Sequence, residues 1–129
     1  METSQLVAIP LFADLEPADL DVLAGVAQET EATIGETLIS EGDPGHALFA
    51  IESGTAKVTL IGVHLRELGP GDVFGEIAFV TTRRRTATVV ATSPMRLITV
   101  SSDDAQALEE TAPELMRRLR SLIGDRRSI

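Results

Sequence analysis

Two opposite charges nine positions apart, Glu76 and Arg85, bracket the segment of this sequence best equipped for chemistry. It runs Phe74-Gly75-Glu76-Ile77-Ala78-Phe79-Val80-Thr81-Thr82-Arg83-Arg84-Arg85-Thr86-Ala87-Thr88-Val89-Val90-Ala91 and reads as a turn, one helical turn, a basic loop and a strand. Gly75 permits close backbone approach, and a short helix beginning near Glu76 leaves its first N–H groups without intrahelical partners. Those donors suit an anion. Arg85 stands where the loop enters a strand, so a rigid scaffold holds its guanidinium over the same anion. Glu76 needs a different explanation, because a carboxylate repels an anion unless it accepts a hydrogen bond from a neutral part of the same ligand. An anionic group with a hydroxyl a few ångströms away describes a ribose phosphate.

Around that segment the chain must build a stiff frame. Leu15, Leu20, Leu23 and Val26 recur at roughly helical spacing, with Pro17 suited to the first turn of a helix begun near Glu16. From Glu31 the pattern changes to short runs closed by glycine: Thr33-Ile34-Gly35, Thr37-Leu38-Ile39, Leu48-Phe49-Ala50-Ile51 and Val58-Thr59-Leu60-Ile61 before Gly62. Leu65 to Leu68, Thr86 to Val90 and Met95 to Val100 add further strands. Ser102 reads as a helix cap with Asp103 and Asp104 in the first turn, and Pro113 opens a last helix with Leu115, Leu119, Leu122 and Ile123 along one face. The order helix, antiparallel strands, helix predicts a mainly β fold. It is an eight-stranded antiparallel β-roll, jelly-roll-like, with flanking N- and C-terminal helices.

Composition narrows the functional classes. The 129 residues suit a single domain over 1–129: a helical segment at about 6–30, a roll at about 31–101 and C-terminal helices at about 102–127. The hydrophobic fraction of 43% contains no long apolar run, and Pro10 interrupts the apolar patch Leu6–Ile9, so neither a membrane span nor a secretory leader is expected and a cytoplasmic location is. Absence of cysteine excludes disulfides and thiol chemistry. The net charge of -9 argues against a nucleic-acid-coating protein, which presents a basic face. His46 and His64 are the only histidines, too few for the clustered metal site of a cupin-like enzyme. No Gly-Lys-Ser/Thr loop marks a nucleoside triphosphatase.

The segment around Glu76 and Arg85 resembles the phosphate-binding cassette, at 74–87, of the cyclic-nucleotide-binding domain family. The likeness extends from about Leu6 to Arg127. Pro10-Leu11-Phe12 with Leu15 and Leu20 is similar to the family's helical entry, and Ile39-Ser40-Glu41-Gly42-Asp43-Pro44-Gly45 to its strand-turn. Leu48 to Gly54 and Leu68-Gly69-Pro70-Gly71-Asp72-Val73-Phe74-Gly75-Glu76 are similar to further strands of its roll. The short roll and the closing Asp125-Arg126-Arg127 look most like bacterial channel-type members. Thr82 and Arg84 depart from the family, which commonly carries Gly and Pro there.

The resemblance implies cAMP or cGMP as ligand, no further cofactor, no metal and no catalysis. Glu76 would accept from the ribose 2′-hydroxyl and Arg85 would pair with the cyclic phosphate. Main-chain N–H groups of Gly75, Ile77, Ala78 and Ala87 would complete the anion contacts. Thr86 would offer its hydroxyl to the phosphate and, for a syn guanine, to the 2-amino group. Val58, Val73 and Phe74 are candidates for the apolar wall against the base, and Arg126 or Ile123 for a lid. The implied role is a sensor for a partner protein or channel, with no nucleic-acid partner, no membrane insertion, and the C-terminal helix as the candidate face for a homodimer. Two other readings accompany it. One is a roll that keeps Glu76 and Arg85 as a buried ion pair without a ligand. The other is a fragment of a transcription regulator of the same family, whose helix-turn-helix would have to follow Ile129.

Overall fold

Alternation along two strands builds most of the molecule. The structure is a computed structural model and describes residues 1–81 and 84–123. In β3 (Ala47–Ser53), Leu48 and Ala50 face a cluster made with the helices, whereas Phe49 and Ile51 face the interior of the roll. In β8 (Met95–Ser101), Ile98 and Val100 join the helical cluster while Met95 and Leu97 join the roll. The two strands pair antiparallel, so one ladder separates two apolar cores.

The remaining strands are β1 (Gln28–Ala32), β2 (Thr37–Ile39), β4 (Ala56–Leu60), β5 (Val63–Leu68), β6 (Val73–Phe74) and β7 (Thr88–Ala91). They form two four-stranded sheets, ordered β1-β8-β3-β6 and β2-β7-β4-β5, with every pairing antiparallel. This is the eight-stranded roll expected from the sequence. Its corners are tight. At Gly54, φ is +92° and an added Cβ would lie 2.3 Å from the Pro94 carbonyl oxygen, so only glycine fits between β3 and β4.

Helices α1 (Thr3–Leu6), α2 (Pro17–Val26), α3 (Glu76–Val80), α4 (Ala105–Thr111) and α5 (Pro113–Leu122) cover the outer face of the first sheet. Leu6, Ile9, Phe12, Leu23, Leu108, Leu115 and Leu119 are all at most 1% exposed. Each such side chain contributes about 1.5–3 kcal/mol relative to exposure. Arg118 ties α5 to the N-terminal segment, donating to the Leu11 carbonyl at 3.0 Å and to Asp14 Oδ1 at 2.5 Å. The apolar stripe on α5, read from sequence as a candidate dimer face, is thus filled by the chain's own helices at Leu115 and Leu119.

Four boundaries differ from expectation. Strand β1 starts at Gln28, inside the segment read as helical to about residue 30, because pairing with 95–99 of β8 outweighs the weak helical preference of Gln28 and Glu29. Thr33-Ile34-Gly35 is a turn, not a strand; Glu36 N donates to the Thr33 carbonyl and Gly35 takes φ +87°. The helix cap after β8 is Ser101, whose hydroxyl accepts from Asp103 N at 3.2 Å, and Ser102 lies within a 3-10 turn. Strand β7 begins at Thr88, leaving Thr86 and Ala87 to the loop.

Candidate nucleotide-binding site

Strand β6 delivers Phe74 into the roll, Gly75 turns the chain, and α3 begins at once with Glu76. Gly75 adopts φ +85°, and a Cβ there would meet Arg85 Nη1 at 2.8 Å and the Ala47 carbonyl oxygen at 2.9 Å. What approaches this glycine is therefore the guanidinium of Arg85 itself. Arg85 donates from Nη1 to the Gly75 carbonyl at 3.1 Å and from Nη2 to the Ala47 carbonyl at 2.8 Å. The side chain bridges the cassette to the start of β3.

The main chain decides which arginine points inward. Arg85 N donates to the Asp43 carbonyl at 2.8 Å, and its own carbonyl accepts from Gly42 N at 2.9 Å. Arg84 forms a bridge with Pro44 and donates from Nη1 to the Gly42 carbonyl at 3.0 Å. The loop is thereby laced to the β2–β3 turn with Arg84 exposed and Arg85 only 6% exposed. Glu76 is 2% exposed. Burial pulls the Arg85 guanidinium below its ordinary pKa, and the Glu76 carboxylate acts in the opposite sense, favouring the charged form. The two opposite charges are thus both buried and attract one another, while two main-chain carbonyls accept from the guanidinium.

Beside Arg85 lies a cleft of about 310 Å³, bordered by Thr37, Leu38, Ser40, Asp43, His46 and Phe49 among others. That volume sits at the lower end of small-molecule pockets, roughly 300–1,000 Å³. Phe49 stacks on Phe74 with ring centroids 5.0 Å apart and planes 9° from parallel.

The other residues singled out from sequence separate into groups. Val58 and Phe74 are fully buried in the roll cluster, and Ala87 is buried beside them. Thr86 is exposed. Ile77 is buried in α3 at 8% exposure, while the side chain of Ala78 lies outside the described residues. Val73 is a correction: it packs against the helical cluster, not into the roll, because successive residues of β6 point to opposite faces. Thr82, Arg83 and the candidate lid Arg126 lie outside the described residues.

Sequence reasoning missed two neighbours of the site. Phe49 occupies the alternate position to Leu48 and so faces the roll, a signal present in the β3 pattern. Arg66 is the cross-strand partner of Val58, partly buried on the side of the sheet that faces the roll.

The sequence model of the family described as "Cyclic nucleotide-binding domain" matches residues 29–111. The chain belongs to the cyclic-nucleotide-binding domain family. It is 31% identical over 117 residues to a cAMP-dependent protein kinase regulatory subunit of Hypocrea atroviridis, covering 91% of this chain and 25% of the relative. It is 34% identical over 124 residues to a cyclic nucleotide-gated potassium channel of Mesorhizobium japonicum, covering 95% of this chain and 34% of that one. The chain thus spans a quarter to a third of the length of these curated relatives. A putative cyclic nucleotide-binding protein of Geobacter metallireducens superposes with a TM-score of 0.84 at 18% identity, over 96% of this chain and 93% of that structure, which establishes the shared fold. Among the described residues, no group of three or more His, Cys, Asp or Glu is placed to hold a metal ion, and no helix is long and apolar enough to cross a membrane.

Proposed function

We propose that this domain binds a cyclic nucleotide at Glu76 and Arg85 and passes the binding event to a partner protein or channel, without catalysing a reaction. The observation that carries the reading is a buried guanidinium of which two of the five N–H groups are held by the Gly75 and Ala47 carbonyls, next to a buried carboxylate. The remaining donors suit a phosphodiester, and Glu76 suits the ribose hydroxyl. Helix α3 supplies the route outward, since it starts at Glu76 and sends Phe79 into the helical cluster shared with Leu115 and Leu119 of α5.

Replacing Arg85 by alanine removes the cation from a buried phosphate site, a loss of about 2–5 kcal/mol, or roughly 30-fold to several thousand-fold in affinity. Isothermal titration with cAMP and with cGMP measures it. Arg85→Lys, which keeps the charge but loses the planar fork, separates binding from folding: it should remain folded by circular dichroism and still bind much more weakly than the native protein. Native-like affinity in Arg85→Lys and Arg85→Ala alike would show that the phosphate goes elsewhere.

Two residues favour guanine over adenine in this reading. Arg66, beside Val58, has the donor geometry that pairs with guanine O6 and N7, and exposed Thr86 offers its hydroxyl to the 2-amino group. Arg66→Ala is expected to reduce cGMP affinity about 5- to 100-fold, the effect of losing one bidentate pair, and to leave cAMP affinity nearly unchanged. An equal loss for both nucleotides in a competition titration would assign Arg66 to the phosphate or to the scaffold instead.

A further inference from the structure

Strand β7 lies between β2 and β4, so the end of β2, the start of β7 and the tip of the β4–β5 hairpin share one end of the second sheet. Glu41, just past β2, spans that end. Its Oε1 accepts from Ile61 N at 3.0 Å and from the Thr88 hydroxyl at 3.4 Å, and its own N–H donates to the same hydroxyl at 3.1 Å. The tip has need of a fastener. Leu60 pairs with Val63, leaving Ile61 and Gly62 as a two-residue loop in which both residues take positive φ, +51° and +74°. Asn-Gly suits that pattern, whereas a β-branched side chain in its first place is strained. Strained backbone persists where its surroundings over-determine it, and Glu41, 20 residues away, supplies such a contact.

What the tip governs lies below it. Register shifts between Val58, opposite Arg66, and Thr59, opposite His64, so a bulge at Leu65 separates the tip from Arg66. A bulge re-aims the side chains beside it, and here its place depends on how the tip is held. Val58 is fully buried in the roll and Arg66 is partly buried on the same face. We propose that Glu41 is a positioning residue for nucleotide binding, whose carboxylate holds the hairpin in the register that aims Arg66 at the base. This role rests on the cyclic-nucleotide reading of the roll and on Arg66 as the group that meets guanine. The phosphate side does not depend on it. The Arg85 guanidinium is held by the Gly75 and Ala47 carbonyls, and its main chain pairs with the main chain of Gly42 and Asp43, contacts that use no atom of the Glu41 side chain.

Calorimetric titration of the native chain, Glu41→Ala, Arg66→Ala and the double variant forms the test. Glu41→Ala should weaken cGMP binding about 3- to 10-fold, the scale of one lost hydrogen bond, and by less than about two-fold where Arg66 is already alanine. Its effect on cAMP should also stay below about two-fold, since the hold on the phosphate is intact. Glu41→Gln keeps a side-chain oxygen to accept from Ile61 N and should bind cGMP as the native chain does. Amide exchange at Ile61 should quicken in Glu41→Ala and stay unchanged in Glu41→Gln. Unchanged cGMP affinity in Glu41→Ala, an equal loss in both Arg66 backgrounds, an equal loss for the two nucleotides, or Glu41→Gln as weak as Glu41→Ala would overturn the proposal and leave the cyclic-nucleotide reading standing. So would Ile61 exchange that ignores Glu41→Ala. A native chain that binds neither nucleotide would overturn both.

Discussion

A methyl group at position 75 would meet the Arg85 guanidinium and the Ala47 carbonyl at under 3.0 Å, on a backbone that already disfavours any side chain. Gly75→Ala is therefore expected to lose about 1–3 kcal/mol of stability and to displace the guanidinium, weakening nucleotide binding as well. Urea denaturation checks the first effect and calorimetric titration the second; a variant stable as the native chain with unchanged affinity would mean that the turn adapts. The gathering of two buried charges at this corner was legible because it is local. Glu76 and Arg85 stand nine positions apart with Gly75 beside them, and their residue types already suggest an anion with a neighbouring hydroxyl. The role of Gly75 as the seat of Arg85 was not legible, since it depends on Ala47, far away in the chain. Val73 was assigned to the wrong face for a related reason: a two-residue strand carries no alternation from which to choose.

At the scale of elements, α5 is held by a charge cluster on its first two turns. Glu114 accepts from Arg117 Nε at 2.8 Å and from Arg118 Nε at 3.1 Å, and Arg118 also reaches Asp14. These hydrogen bonds, with that from Arg117 first, bring the Glu114 carboxyl down to about 2 from 4.5. The folded state thus binds fewer protons at this site than the unfolded chain. Its contribution is present above about pH 4.5 and disappears as pH falls toward about 2. Because the pair is exposed, the effect is modest. Thermal melts from pH 6 to pH 2 should show the native protein losing more Tm than Glu114→Gln, and parallel curves would show that the cluster contributes nothing. Long elements were legible in sequence: Pro17 and Pro113 stand at the helix starts they suggest. Ends were less so, as with Gln28 and Glu29, whose strand state comes from β8 on the far side of the chain.

For the whole molecule, a ligand that binds only the folded state stabilises it in proportion to the logarithm of its concentration. Cyclic nucleotide at 100 times its Kd should add about 2.7 kcal/mol to unfolding free energy, and Arg85→Lys should abolish most of that gain. Differential scanning fluorimetry across a nucleotide series is the measurement. A Tm that ignores nucleotide while calorimetry reports binding would place the ligand on the unfolded chain or on a region that unfolds separately. The roll itself was legible from its runs of short strands and glycine turns, because each hairpin is a local event. The split into two sheets with strand order β1-β8-β3-β6 was not, since it rests on pairings across the full length of the chain.

The ladder of β3 and β8 has one further consequence. Sliding β3 by a single residue would exchange Leu48 and Ala50 with Phe49 and Ile51, spoiling the contents of both compartments at once. Slippage is resisted from two sides, and the carbonyl of Ala47, at the head of that strand, inherits the constraint. The oxygen on which Arg85 rests is therefore located by the least adjustable part of the molecule.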